Sequence, residues 1–382
     1  MIANKRHSAP QGDVPAGGPM GTEQVKEEIE GLGEDEDATW GDYPIDTVLI
    51  RNENRTVHDV LRRIKGGAFV MNPDFQRDFI WRDDKQSKLI ESVLMRIPLP
   101  VFYLAEDDDG RMIVVDGLQR LSTFQRFVNN ELPLRLPEQR EIDKKRFMDL
   151  SAKLQNRVED CNLILYIIDA KVPEWVRLDI FERVNSGEPL SRQQMRNSLY
   201  MGPATRFLKE EATTELFLDA TGGSLNTLTM RDREFVNRFC AFQLLPLSAY
   251  RDMDAFLAEG MKRMNALGQE DLNTLSAEFG NGLANNLKVF GKHAFRKHTD
   301  GKVERSVLNA SLWDVMSTGL SRQDPDLVDA RAEELKAAFY ALMNDGEFIA
   351  AITYGSNDVR KVKARFEKAA RMFEEVFGDH QA

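Results

Sequence analysis

The residues best suited to chemistry lie in one short segment, residues 113–121, of sequence IVVDGLQRL. A hydrophobic strand is predicted to end at Asp116, and a helix is predicted to begin at Leu118. The first turn of a helix offers backbone N–H groups without intrahelical partners, together with the positive end of the helix dipole. Both features favour a bound phosphate. The segment therefore indicates a phosphate site at a strand–turn–helix junction.

Each polar residue of the segment fits a role in such a site. Gly117 allows the backbone to approach a ligand closely, and Arg120 offers a planar set of donors to phosphate oxygens. Asp116 can hold a magnesium ion or orient a water molecule, and Gln119 can position a water or a base edge. The alternative is structural, with Asp116 as a helix cap, Gly117 as a turn residue and Arg120 solvated. Five letters alone do not decide between these interpretations.

Two further segments carry polar residues in loops. Residues 73–81, PDFQRDFIW, place Gln76 and Arg77 among aromatic side chains, a combination that suits base stacking and phosphate contact. The alternative for the aromatic residues, Trp81 included, is that they fill the core. Asn185 precedes a Ser-Gly turn, where its side chain can enter a site or end a helix.

The elements around these segments predict an α+β domain at 43–190. A hairpin is predicted from residues 101–106 and 111–116, with a strand at 43–50, a helix capped by Thr56 and a strand at 162–169. From 191 to 382 the apolar periodicity is helical almost throughout, which predicts an all-α domain. Residues 1–42 are acidic and lack apolar periodicity, so a disordered arm is expected there.

Bulk properties narrow the class of protein. The chain has 382 residues, a net charge of −11 and only two cysteines, Cys161 and Cys240, so a disulfide framework and a zinc site are not expected. No apolar run reaches the roughly 20 residues that a membrane helix needs. The first residues show no secretory signal. A cytoplasmic protein without membrane contact is expected.

Charge is distributed unevenly along the chain. Residues 1–45 hold three Lys or Arg and ten Asp or Glu. The following stretch is locally basic, which predicts a face that contacts DNA, although a solvated surface is an equal alternative. Its basic residues are Arg51, Arg55, Arg62, Arg63, Lys65, Arg77, Arg82, Lys85, Lys88 and Arg96.

Taken in order, four segments resemble a known family. PDFQRDFIW, KLIESVLMRIPLP, VVDGLQRLSTF and IFERVNSGEPLS resemble the N-terminal domain of GmrSD-type restriction systems, from about Tyr43 to Tyr200. The usual motif of that family is DGQQR, and here Leu118 replaces its first glutamine. Sulfiredoxin chemistry is excluded because it needs a cysteine in this loop.

The resemblance implies a ParB/sulfiredoxin-like α+β fold with a mixed sheet, followed by helices. It implies that a nucleoside triphosphate and Mg²⁺ bind at the DGLQR element and that the triphosphate is hydrolysed. Asp116, Gln119 and Arg120 would face the triphosphate, and Asp116 would hold the metal. Gln76, Arg77 and Asn185 occupy motif positions that the resemblance adds to the nucleotide site.

The resemblance also implies a part in restriction of DNA and in phage defence. The sequence shows no HNH-like nuclease motif around His293 and His298, so cleavage is expected either from a separate HNH-type subunit or not at all. Three interpretations stay open: a magnesium-dependent hydrolase of nucleoside triphosphates tied to a nuclease or nickase, a non-catalytic nucleotide-dependent DNA-binding switch, and a plain protein-interaction module.

Overall fold

A mixed sheet occupies the N-terminal half of the protein, and helices form nearly all of the remainder. The computed structural model describes residues 29–32, 50–71, 81–107, 109–184 and 191–378. The predicted α+β class is confirmed. The strands of the five-stranded sheet are β2 (Ile50–Thr56), β3 (Phe69–Val70), β4 (Phe102–Glu106), β5 (Met112–Asp116) and β6 (Asn162–Ile168).

The strands lie in the order β2-β6-β4-β5-β3. The pairs β6/β4 and β5/β3 are parallel, and the pairs β2/β6 and β4/β5 are antiparallel. The hairpin of β4 and β5 confirms the sequence prediction, and the carboxylate of Asp107 accepts the backbone N–H of Arg111 across its turn, at 2.8 Å. The predicted strand at 162–169 is likewise present as β6.

Helices cover both faces of this sheet. They are α1 (Val57–Lys65), α2 (Asp83–Leu94), α3 (Leu118–Val128), α4 (Ala152–Glu159), α5 (Glu174–Val184) and α6 (Arg192–Leu199). The first four helices pack against one face, and α5 and α6 pack against the other. Successive strand residues serve opposite faces, so Leu104 joins the first core and Ala105 the second. Because Met195 and Leu199 of α6 belong to the second core, the sheet unit extends past the predicted boundary at 190.

The edge strand β2 differs from the sequence prediction. Of the strand expected at 43–50, only Ile50 lies within the described residues, and β2 continues through the polar sequence IRNENRT. Ion pairs explain how this polar strand is accommodated. Glu53 contacts Arg51 at 3.2 Å and Arg55 at 2.6 Å, and Arg51 reaches Glu106 at 2.6 Å.

Helices dominate the C-terminal part. They are α7 (Pro203–Glu211), α8 (Glu215–Thr221), α9 (Arg231–Leu244), α10 (Met253–Asn265), α11 (Gln269–Phe290), α12 (Ala310–Ser321), α13 (Pro325–Ala330), α14 (Ala332–Met343), α15 (Gly346–Thr353) and α16 (Val359–Phe377). None of the helices within the described ranges is both long enough and apolar enough to span a bilayer.

A buried ion triad joins three of these helices. Asp314 of α12 is fully buried and accepts hydrogen bonds from Arg238 of α9, at 2.8 and 2.7 Å, and from Arg365 of α16, at 2.7 Å. Both guanidinium groups are also buried. One carboxylate therefore bridges two cations that are out of reach of water.

A short N-terminal segment crosses to the helical part. Strand β1 (Ile29–Glu30) pairs in parallel with β7 (Leu308–Asn309), and the carbonyl oxygen of Gly31 accepts the hydroxyl of Ser356 at 2.7 Å. The prediction of a disordered arm over 1–42 is therefore wrong for residues 29–32. The sequence did not reveal this docking because the partner residues lie some 280 positions further along the chain.

Replacing Asp314 with Asn should destabilise the helical part strongly, because two buried guanidinium groups would lose the carboxylate that they share. Breaking such a buried pair typically costs about 3–5 kcal/mol. Urea unfolding monitored by circular dichroism measures the change. Glu333→Gln, in an exposed ion pair, is the matched control, and a D314N destabilisation no larger than that of the control would contradict the triad's structural role.

Candidate functional site

The predicted strand–turn–helix junction is present between β5 and α3. Asp116 ends β5, Gly117 takes a left-handed φ of 98°, and Leu118 begins α3. A side chain at Gly117 would bring its Cβ within 2.2 Å of the Phe102 ring, so only glycine fits this turn. The first-turn N–H groups of α3 have no intrahelical partners, and no side chain of the described residues caps them.

Arg120 differs most from its predicted role as a phosphate ligand. Its side chain is buried, with its guanidinium 4.2 Å from the centre of the Phe102 ring. It donates to the carbonyl oxygen of Pro100, to that of Val101 at 3.1 Å and to the carboxylate of Asp116 at 2.8 Å. Burial lowers the pKa of Arg120, and the neighbouring Asp116 acts in the opposite direction.

These contacts have a simple physical origin. The chain enters β4 through Pro98-Leu-Pro100, and Arg120 supplies donors to the carbonyl oxygens of Pro100 and Val101. Buried carbonyl groups need such partners. Arg120 therefore holds the start of β4 and the end of β5 together, and it acts on the site by positioning Asp116.

Asp116 and Gln119 remain within reach of a ligand. The Asp116 side chain is 35% exposed, and only its Oδ2 atom is bonded to Arg120. The side-chain oxygen of Gln119 accepts the backbone N–H of Trp81 at 3.1 Å. Gln119 thus connects the first turn of α3 to the residue that follows the segment 72–80.

The other predicted site residues cannot be placed. Gln76, Arg77 and Asn185 lie outside the described residues. Of the aromatic residues in the segment 73–81, only Trp81 lies within the described residues. It is half-buried, packs against the core on the α1–α4 face of the sheet, and has the ammonium group of Lys85 4.4 Å from its ring centre.

A cleft that the sequence analysis missed opens beside Trp81. It has a volume of about 540 Å³, and it is also lined by Arg82, Asp83, Arg126 and Arg135. Asp83 contacts Arg126 at 3.5 Å and Arg135 at 3.0 Å, so one carboxylate lies among three arginines. The sequence feature that could have indicated this cleft is Arg126, which lies on the same helix as Leu118, Gln119 and Arg120.

The locally basic stretch is largely neutralised. Asp59 alone contacts Arg55, Arg62 and Arg63, and these arginines lower the pKa of Asp59 to about 2. Further pairs join Arg51 to Glu106 and Lys88 to Glu91. The predicted basic face over 51–96 is therefore wrong for most of its described members, because acidic residues close in sequence and across the sheet compensate them.

Metal ligands are sparse in the described part of the chain, where no three His, Cys, Asp or Glu side chains converge. A single carboxylate, Asp116, is present at the α3 junction. Mg²⁺ is commonly held by one or two carboxylates, with phosphate oxygens and water completing its shell. The junction therefore fits a magnesium ion only when that ion arrives with a phosphate-bearing ligand.

Residues 57–201 match the family model described as GmrSD restriction endonuclease, N-terminal domain. This region of the chain is therefore a GmrSD-type N-terminal domain, which confirms the family predicted from the motifs. The match begins at the first residue of α1 and ends just after α6, the last helix on the sheet. Comparison with curated proteins finds no match. The likeness to ParB and sulfiredoxin folds stays a prediction.

Replacing Arg120 with Lys should lower the free energy of unfolding even without any ligand. Lysine cannot reproduce three bonds from one planar group, and hydrogen bonds from charged groups contribute about 1.5–3 kcal/mol each. Urea unfolding of the ligand-free protein tests this, with the exposed Arg82→Lys as control. If the R120K protein is as stable as the control, Arg120 does not stabilise the fold, and its side chain is free to bind a ligand.

Proposed function

We propose that this protein belongs to a restriction, phage-defence type system and binds a nucleoside triphosphate at the β5–α3 junction. The observation that carries the proposal is the uncapped first turn of α3, which follows the left-handed Gly117 and lies beside the half-exposed Asp116. Backbone N–H groups in this arrangement favour phosphate oxygens. The match of this region to a GmrSD-type domain supports the restriction context.

Magnesium would be shared between the protein and the nucleotide. Asp116 would bind it through Oδ1, since Oδ2 accepts a hydrogen bond from Arg120. The metal would neutralise charge on the phosphate oxygens when bound. Arg120 would act indirectly, because its bonds to Pro100 and Val101 fix the direction of the Asp116 carboxylate.

Hydrolysis is the reaction that this arrangement supports best. Asp116 and Gln119 flank the first turn of α3, where Asp116 would hold the metal and the Gln119 amide can orient a water for attack. We propose Asp116 and Gln119 as the residues that contact the reacting groups and Arg120 as a positioning residue. Gln76, Arg77 and Asn185 remain proposed nucleotide contacts on the basis of their motif positions.

The bond between Gln119 and Trp81 favours a second candidate, a nucleotide-dependent switch. A nucleotide that bonded to Gln119 would compete with the backbone N–H of Trp81, at the end of segment 72–80. Binding would then change the arrangement beside the cleft without any chemistry, by favouring one of two states. Nucleotide binding without product formation is the result that distinguishes this candidate.

Replacing Asp116 with Asn should reduce phosphate release from a nucleoside triphosphate by about 10²–10⁴-fold, the usual contribution of a positioned acid or base. Malachite-green detection of phosphate, with and without Mg²⁺ and DNA, measures the rate across a panel of nucleotides. Asp109→Asn, an exposed aspartate in the β4–β5 turn, is the control. Unchanged turnover in a folded D116N protein would overturn the catalytic proposal.

DNA binding is proposed at the cleft beside Trp81 rather than along the whole basic stretch. The cleft combines three arginines with an aromatic ring; Asp83 pairs with Arg126 and Arg135, and the neighbouring Asp84 lies 3.6 Å from Arg82. Arginine and aromatic side chains suit binding to phosphates and exposed bases. Cleavage would come from a separate HNH-type subunit in the cytoplasm, where this protein would sense nucleotide and DNA.

Charge reversal at the cleft, as R126E/R135E, should weaken DNA binding and reduce its salt dependence. Removing one arginine–phosphate interaction reduces the slope of log K against log salt by about 0.7–0.9. Fluorescence anisotropy with labelled single- and double-stranded DNA at several salt concentrations measures both quantities. The control is K209E/K363E, two exposed lysines of the helical part. Equal affinities and slopes in the two variants would rule out the cleft.

A further inference from the structure

The helical part contains a second cleft, separate from the β5–α3 junction. It has a volume of about 670 Å³ and lies between the end of α11, the helical turn Gly291–His293, the loop at 299–302 and α14. Ligand sites typically measure about 300–1,000 Å³. None of its lining residues comes from the sheet or from α1 to α6.

Two histidines in this cleft are held in a defined arrangement. The rings of His293 and His298 stack with their centres 5.0 Å apart, and His298 is almost fully buried beside Phe339 and Tyr340. The His298 Nδ1 atom lies 2.8 Å from the carbonyl oxygen of Arg296. A carbonyl can only accept, so Nδ1 carries the proton and Nε2 of the neutral ring is left for another partner.

His293 shows that a partner is missing. Its Nδ1 atom is buried and has no hydrogen-bond partner among the described residues. Buried polar groups in native proteins nearly always have a partner in the protein, in water or in a ligand. Because this nitrogen has almost no exposed surface, its partner would be an enclosed water, while the remainder of the ring lines the cleft.

The cleft carries an excess of positive charge. Lys288, Lys292, Lys302 and Lys336 line it, against two acidic residues, Asp300 and Glu333. Within the described part of the chain, Lys292 has no ion pair, and the Lys302 ammonium bonds only to the hydroxyl of Ser306, at 2.7 Å. Burial lowers the pKa of both His293 and His298, and Lys302 lowers each further, so the histidines experience this uncompensated field.

We propose that this cleft binds the phosphate groups of a ligand of about nucleotide size. Lys292 and Lys302 would contact the phosphate oxygens, and the His293 and His298 rings would line the cleft beside them. Tyr340 and Phe290 would provide an apolar wall for the remainder of the ligand. This cleft shares no residue with the β5–α3 junction, so phosphate binding here can be tested independently of nucleotide binding at the junction.

Histidine NMR tests this proposal with a local signal. The chain has five histidines, so ¹³Cε1-labelled protein gives few resonances, and single His→Gln variants assign those of His293 and His298. Inorganic triphosphate, ATP and a 5′-phosphorylated hexathymidylate serve as probes. Saturable shifts of the His293 and His298 signals with half-saturation below about 1 mM are expected for triphosphate or ATP. If only the hexathymidylate gives them, the phosphate source is a nucleic acid end rather than a free nucleotide.

Charge-reversal variants show whether the shifts report the cleft. K292E/K302E should raise the half-saturation concentration by about tenfold or more, because two cations become anions beside the phosphate. K209E/K363E reverses the same number of exposed charges elsewhere and should bind like the native protein. Equal binding in the two variants, or no shift of either signal with any probe, would overturn the proposal. Failure of phosphate release at the β5–α3 junction would leave this result unaffected.

Discussion

The guanidinium of Arg120 is the interaction on which the N-terminal site depends. It joins α3 to the entry of β4 and the end of β5, through bonds to Pro100, Val101 and Asp116. Because the group is buried over the Phe102 ring, it is held in one geometry. The orientation of Asp116 follows from this arrangement, beside the turn at Gly117 and the start of α3. The buried guanidinium of Arg120 therefore fixes how the Asp116 carboxylate is presented at the surface.

The sequence predicted the elements of this region well, because local patterns determine them. The β4–β5 hairpin, the Thr56 helix cap and the start of α3 at Leu118 all follow from turn residues and apolar spacing. The destination of the Arg120 side chain could not be predicted. It depends on two carbonyl groups about 20 residues upstream, and an arginine after a glycine turn is equally compatible with a phosphate ligand.

The charge pattern misled for a related reason. A run of arginines between Arg51 and Arg63 indicates a basic face when read along the chain alone. In the structure Asp59 contacts three of them, and Glu106 reaches Arg51 from β4, two strands away in the sheet. In the helical part, linear spacing misses a contact instead of suggesting a false one. His293 and His298 are five residues apart and are not expected to share a helical face, yet their rings stack. Both outcomes are set by tertiary proximity, which linear spacing does not encode.

The strand at Ile29–Glu30 has a consequence for how the chain assembles. Glu30 bonds to Asn309 across a separation of 279 residues, so its site exists only after α12 has formed on the growing chain. During synthesis this segment leaves the ribosome 279 residues before Asn309, and it cannot dock until Asn309 has emerged. Loop-closure entropy adds to this delay. Its docking is therefore a folding step that waits for β7, because the two strands pair directly.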